Sequence, residues 1–98
     1  MNILSSILRT AKESRTNSDQ CLNTILERSL VKERKIILKE IDKAVSQGEV
    51  CTTIYLDYKG RIREEVYYSL KEELLRGGYA VSKLVPIGNG ITKFNISW

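Results

Sequence analysis

Apolar positions along the chain alternate between a helical and a strand period, and each change of period marks a boundary. Ile3, Leu4, Ile7, Leu8 and Ala11 share one helix face, while Ser5, Ser6, Arg9, Lys12 and Glu13 fall elsewhere. A helix this short is unstable alone in water, so its apolar face needs burial. The polar run SRTNSDQ then predicts a loop, with Asn17 or Ser18 as N-cap of a second helix and Asp19 in its first turn. From Asp19 to Gln47 there is no Pro or Gly, and Gly48 stands where a helix C-cap belongs. Leu26, Leu30, Ile37, Ile41 and Ala44 line one face of this segment. Uninterrupted, it would run about 42 Å at 1.5 Å per residue, whereas a compact domain of this size is about 30–35 Å across. Either the helix bends near Arg28–Val31 or its first half projects.

The period then shortens to two. Val50, Thr52, Ile54 and Leu56 alternate in VCTTIYL, a β-branched and aromatic run that reads as a strand and is broken by YKGR. Ile62, Val66, Leu70 and Leu74 return at steps of four, predicting a helix from about Arg61 to Arg76. Gly77-Gly78 ends it, the first of the two suited to the left-handed cap conformation. YAVSKLV is the next strand, GNG a turn that needs positive φ, and in the last strand Phe94, Ile96 and Trp98 share one face. Lys93, Asn95 and Ser97 take the opposite, polar face.

The order helix–strand–helix–strand–strand predicts an α+β fold, a two-layer α/β sandwich over a three-stranded mixed sheet. The crossover makes the first two strands parallel, and the hairpin sets the last antiparallel to its predecessor. A central position for the last strand best accounts for its large apolar residues. The expected core is Ile37, Ile41, Ile54, Leu56, Val66, Leu70, Leu74, Phe94, Ile96 and Trp98. Residues 36–98 thus form a compact α/β domain, and residues 1–35 an N-terminal helical arm. Gly48, Gly77, Gly78, Gly90, Phe94, Ile96 and Trp98 are the expected structural positions.

Composition narrows the chemistry. The 98 residues are 42% hydrophobic and 29% charged, ordinary proportions for one globular domain. There is no His, which excludes Ser-His-Asp and Cys-His catalysis. No nucleotide-binding glycine motif is present either. Cys21 and Cys51 lack metal-ligand spacing and read as small buried or half-buried thiols, pointing to a reducing, cytosolic site of synthesis. The opening MNILSSILRTAKES has neither the basic start of a signal peptide nor the length of a membrane span. Asp57 with Glu64 or Glu65 is the available carboxylate pair, and exposed acids in a helix's first turn are usually dipole partners. No enzymatic activity, cofactor or metal is expected.

Three motifs stand out as punctuation: E-I-x-x-A-x-x-x-G at Glu40, Ile41, Ala44 and Gly48, G-Y-x-V at Gly78, Tyr79 and Val81, and the strand ending Ile96, Ser97, Trp98. With TAKESR (Thr10–Arg15) upstream, the chain resembles small proteins of unassigned function encoded by tailed bacteriophages. The resemblance covers most of the chain. It implies that group's fold and a viral origin, and carries over no catalytic residue.

Two surfaces are candidates for function. Ile3, Leu4, Ile7 and Leu8, with Leu22, Ile25 and Leu26 on the following helix, leave apolar faces over once the compact domain has closed its core. Such faces mark an interface, and the simplest partner is a second copy. Arg28, Lys32, Lys35, Lys39 and Lys43 form a stripe within about 80° of the helix circumference, suited to a phosphate backbone. Asp42 lies within that stripe, Glu33 and Glu40 flank it, and the net charge is only +4. Five tyrosines add contact area, with Tyr55 and Tyr68 expected partly exposed. The favoured expectation is a non-enzymatic phage interaction protein in the host-cell cytoplasm or the virion. It would self-associate and bind a host or phage component, as a virion-associated accessory or a counter-defence factor. The alternative is a small nucleic-acid-binding module; a small ligand held at an oligomer interface ranks third. No membrane partner is expected.

Overall fold

The computed structural model describes residues 10–98. Helix α1 (Ala11–Ser46) is followed by strand β1 (Cys51–Leu56), helix α2 (Arg61–Arg76), the short strands β2 (Ala80–Val81) and β3 (Val85–Gly88), and strand β4 (Ile91–Ser97). The class is α+β, with two helices against one face of an open antiparallel sheet.

The predicted loop SRTNSDQ is helical. Helix α1 runs for 36 residues, and its N-cap is Thr10 rather than Asn17 or Ser18: the Thr10 hydroxyl accepts from the Glu13 amide at 3.1 Å. The run contains no Pro or Gly to break the ladder, and Arg15, Thr16 and Asp19 find side-chain partners within the helix. Thr16 Oγ1 donates to the Lys12 carbonyl at 3.0 Å, and Arg15 meets Asp19 one turn on at 3.4 Å. A contact distant in sequence helps: Arg61 of α2 donates to Asp19 at 3.1 Å. At 1.5 Å per residue the helix is about 54 Å long, and the described residues extend 68 × 27 × 17 Å. Contact with the core begins near Leu26 and Leu30, inside the segment expected to be an arm. The helix beyond them, toward Ala11, projects.

Both helices end in the same way. After α1 the Glu49 amide returns to the Ala44 carbonyl and Gly48 to Val45; after α2 Tyr79 returns to Leu74 and Gly78 to Leu75. These are paired Schellman bonds, which place one residue per end in the left-handed region. Gly48 (φ 75°) and Gly78 (φ 89°) fill those positions. Gly77 has φ −79°, so the left-handed glycine of the pair is the second, one residue later than the sequence suggested.

Strand β4 is central and takes part in every ladder. It pairs antiparallel with β1 along its length (Thr52 opposite Ile96, Ile54 opposite Phe94, Leu56 opposite Thr92) and on its other side with β2 and then β3. The outer strands run parallel to one another, as the crossover requires, without touching. The expected second strand is divided. At Ser82 the edge is held by its amide donating to the Asn95 carbonyl (2.9 Å), while its Oγ accepts from the Asn95 amide (2.8 Å). Asn89 (φ 55°) and Gly90 (φ 76°) form the two-residue turn of the β3–β4 hairpin.

Ile37, Ile41, Ile54, Leu56, Val66, Leu70, Leu74, Phe94 and Ile96 form the core as expected, joined by Tyr67. The Tyr67 ring meets Phe94 edge-on at 5.4 Å and its hydroxyl donates to the Ser82 carbonyl at 2.6 Å. Trp98 departs from the expectation: it is 39% exposed. It stands one residue past the end of β4, where the Tyr79 ring meets the indole edge-on at 6.1 Å and the Trp98 amide donates to the Val50 carbonyl.

Candidate interaction surfaces

Ile3, Leu4, Ile7 and Leu8 lie outside the described residues. Of the other expected interface positions, Leu26 packs against the core, Leu22 is half-buried and Ile25 is exposed. Leu26 therefore serves the domain's own packing. Arg28, Lys32, Lys35, Lys39 and Lys43 are all exposed on the outer side of α1, and none makes an ion pair among the described residues. Asp57, Glu64 and Glu65 are exposed, as are both cysteines, so Cys21 and Cys51 are surface thiols rather than buried ones. The open face of the sheet presents Tyr55, Lys93 and Asn95 to solvent or partial exposure, with Thr53 Oγ1 donating to Asn95 Oδ1 at 2.8 Å.

A second apolar stripe on α1 was not foreseen. Val31, Leu38 and Val45 recur at intervals of seven residues and are 51%, 61% and 55% exposed. At about 100° per residue they fall on one line, between the basic stripe and the buried Ile37/Ile41 face. Leu38 also borders an apolar groove with Leu70, Leu74 and Tyr79, running between the two helices. One side of that groove is fixed by Arg34, whose Nε donates to both carboxylate oxygens of Glu73 at 3.1 Å. That hydrogen bond raises the guanidinium's proton affinity, with burial opposing it. The seven-residue spacing was visible in the sequence; its exposure was not, because α2 covers only part of the helix.

Glu33 was expected on the flank of the basic stripe and is instead buried on the core side of α1. Tyr58 donates to its Oε1 at 2.9 Å, and its Oε2 has no hydrogen-bond partner among the described residues. Burial pushes the Tyr58 hydroxyl above the ordinary tyrosine value, and the carboxylate adds to the shift. Comparison with protein-family models, curated proteins and solved structures gave no match. Among the described residues no helix is long and apolar enough to cross a membrane, and no cluster of three or more His, Cys, Asp or Glu is placed to hold a metal ion.

Proposed function

We propose that the chain is a non-enzymatic interaction protein that pairs with a second copy of itself through α1. The observation that carries this reading is the exposed line Val31, Leu38, Val45. Seven-residue spacing is the pattern that lets two helices lie along each other with side chains interlocked. The line is also self-complementary. In an antiparallel pairing about a two-fold axis at Leu38, each copy sets Leu38 against Leu38 and Val31 against Val45. The same register brings Asp42 level with the second copy's Lys35, on the same side of the seam. An isologous contact of this kind closes as a dimer. Phage origin rests on the resemblance of the punctuation motifs. Capture of a host or phage component by the assembled dimer, in the host-cell cytoplasm or the virion, extends the reading.

Light scattering of the full-length protein at micromolar concentration tests it. The expected result is a dimer that Leu38→Glu with Val45→Glu converts to a folded monomer. A monomeric wild type refutes the reading. Dissociation by Leu4→Glu with Ile7→Glu, but not by the α1 pair, moves the interface to the N-terminal segment.

A second reading, nucleic-acid binding along α1, is favoured by the five exposed cations of the basic stripe, none of them ion-paired among the described residues. Loss of DNA or RNA binding in the Lys32→Gln, Lys35→Gln, Lys39→Gln protein would support it.

A further inference from the structure

Beside the break between β2 and β3 lies a cleft of about 480 Å³ that neither the α1 stripe nor the basic stripe involves. It is built from two sides. Arg63 and Lys71 stand on α2, one turn to either side of Tyr67, and Lys83 faces them from the link between the two short strands. The Tyr67 hydroxyl, donating to Ser82, pins that link to the helix. Arg63 and Lys71 are half-buried, and none of the three cations makes an ion pair among the described residues. Glu64 is the one acid among the described lining residues. The Lys71 ammonium lies 5.8 Å from the centre of the Tyr67 ring, a contact with the ring face that leaves its donors available.

Three cations against the single carboxylate of Glu64 leave the lining net positive, and low-dielectric walls concentrate that field in the concavity. That field selects an anion. The rest of the wall selects what the anion is attached to. Tyr68 is 62% exposed at the rim, held edge-on to Tyr67 at 5.2 Å, and Leu84 and Pro86 supply an apolar side. A bare inorganic anion would leave this half of the cleft unused. A planar heterocycle bearing a phosphate uses both halves, and the volume is in the small-ligand range of roughly 300–1,000 Å³.

We propose that this cleft binds a nucleotide unit, its phosphate held by Arg63, Lys71 and Lys83 and its base lying on Tyr68. The unit is either a free nucleoside monophosphate or one residue of a single strand. The site is independent of the self-association reading, since none of its residues belongs to α1.

The test uses the purified full-length protein, titrated with adenosine monophosphate by calorimetry and with a fluorescent oligothymidylate by anisotropy at two salt concentrations. Binding of the mononucleotide assigns a free nucleotide; binding of the strand alone assigns single-stranded nucleic acid. In either case Lys71→Gln with Lys83→Gln is expected to weaken binding about tenfold or more, and Tyr68→Ala by a similar factor. For the strand, the salt dependence should also flatten as phosphate contacts are lost. Lys83→Gln alone, at an exposed position on a link, keeps the measurement interpretable should the double variant fold poorly. The triple change at Lys32, Lys35 and Lys39 is expected to leave binding unchanged. Failure of both probes to bind, binding that survives the cleft variants, or loss confined to the triple variant overturns the proposal.

Discussion

Replacing Glu33 by Met should stabilise the protein. Glu33 is 4% exposed, in the middle of α1 where the helix meets the loop after β1. Removing an ion from water to such a place costs several kcal/mol even after local relaxation. A single charge-assisted hydrogen bond, from Tyr58, returns about 1.5–3 kcal/mol. The second oxygen receives none. Methionine has similar length, no charge, and enough flexibility to fill the space. Its one cost is an acceptor lost to Tyr58, whose hydroxyl keeps Ser29 as a second hydrogen-bonding neighbour. The balance favours Glu33→Met by about 1–2 kcal/mol, or about 4–8 °C in Tm per kcal/mol for a small domain. Urea unfolding followed by circular dichroism reads the change in midpoint, and an unchanged slope verifies that the unfolded state is the same. Repeating it in a Tyr58→Phe background gives the coupling between the two groups. If Glu33→Met is instead destabilised by more than about 1 kcal/mol, the carboxylate has a favourable partner and the reasoning from its unmatched oxygen is wrong.

Other outcomes follow from packing and titration. Ile96→Ala should cost about 2–5 kcal/mol, and Trp98→Ala clearly less because its ring is partly solvated; chemical denaturation of both variants ranks them. Gly78→Ala forces a side chain into the left-handed region at φ 89°, and should lower stability by about 1–2 kcal/mol. Burial raises the Tyr58 and Tyr67 hydroxyls above the ordinary tyrosine value, so the native state holds their protons more tightly. Their contribution is present below about pH 10 and lost as pH rises through the folded values; tyrosinate absorbance in Tyr58→Phe and Tyr67→Phe should lose amplitude above the ordinary tyrosine range. Asp19, held below the ordinary carboxylate range chiefly by the Arg61 hydrogen bond, works the other way. Its anchoring of α1 to α2 is present above that range and weakens as pH falls through the lowered value, read by comparing acid unfolding with that of Asp19→Asn.

The elements from residue 36 onward were legible because each is marked by period and punctuation together: apolar or β-branched residues at alternate positions for a strand, aliphatic residues at steps of four for a helix, and glycines where helices stop. The central place of β4 followed from its apolar density. What failed, failed for identifiable reasons. Ser14–Gln20 looked like a loop by composition, yet Asp19 and Thr16 find partners within the helix and on α2, which propensity does not register. Trp98 follows the alternation of its strand, but alternation does not say where the strand itself ends. Glu33 reads as surface by type, and its burial depends on Tyr58 arriving from another element. The cleft residues Arg63, Lys71 and Lys83 converge only after β2 and β3 separate, so no local spacing announced them.

That every ladder runs through β4 also fixes an order of events during synthesis. Of the six elements among the described residues, β4 is the last to leave the ribosome. Until it does, neither β1 nor β2 has a hydrogen-bonding partner. A nascent chain that has produced both helices still carries Ile54 and Leu56 on a strand without neighbours, so collapse before Ile91 emerges can bring helices together but cannot form the sheet. Slowing translation between Arg76 and Ile91 should lengthen the interval in which chaperones bind the chain, whereas slowing it before Cys51, when no strand has yet been made, should not.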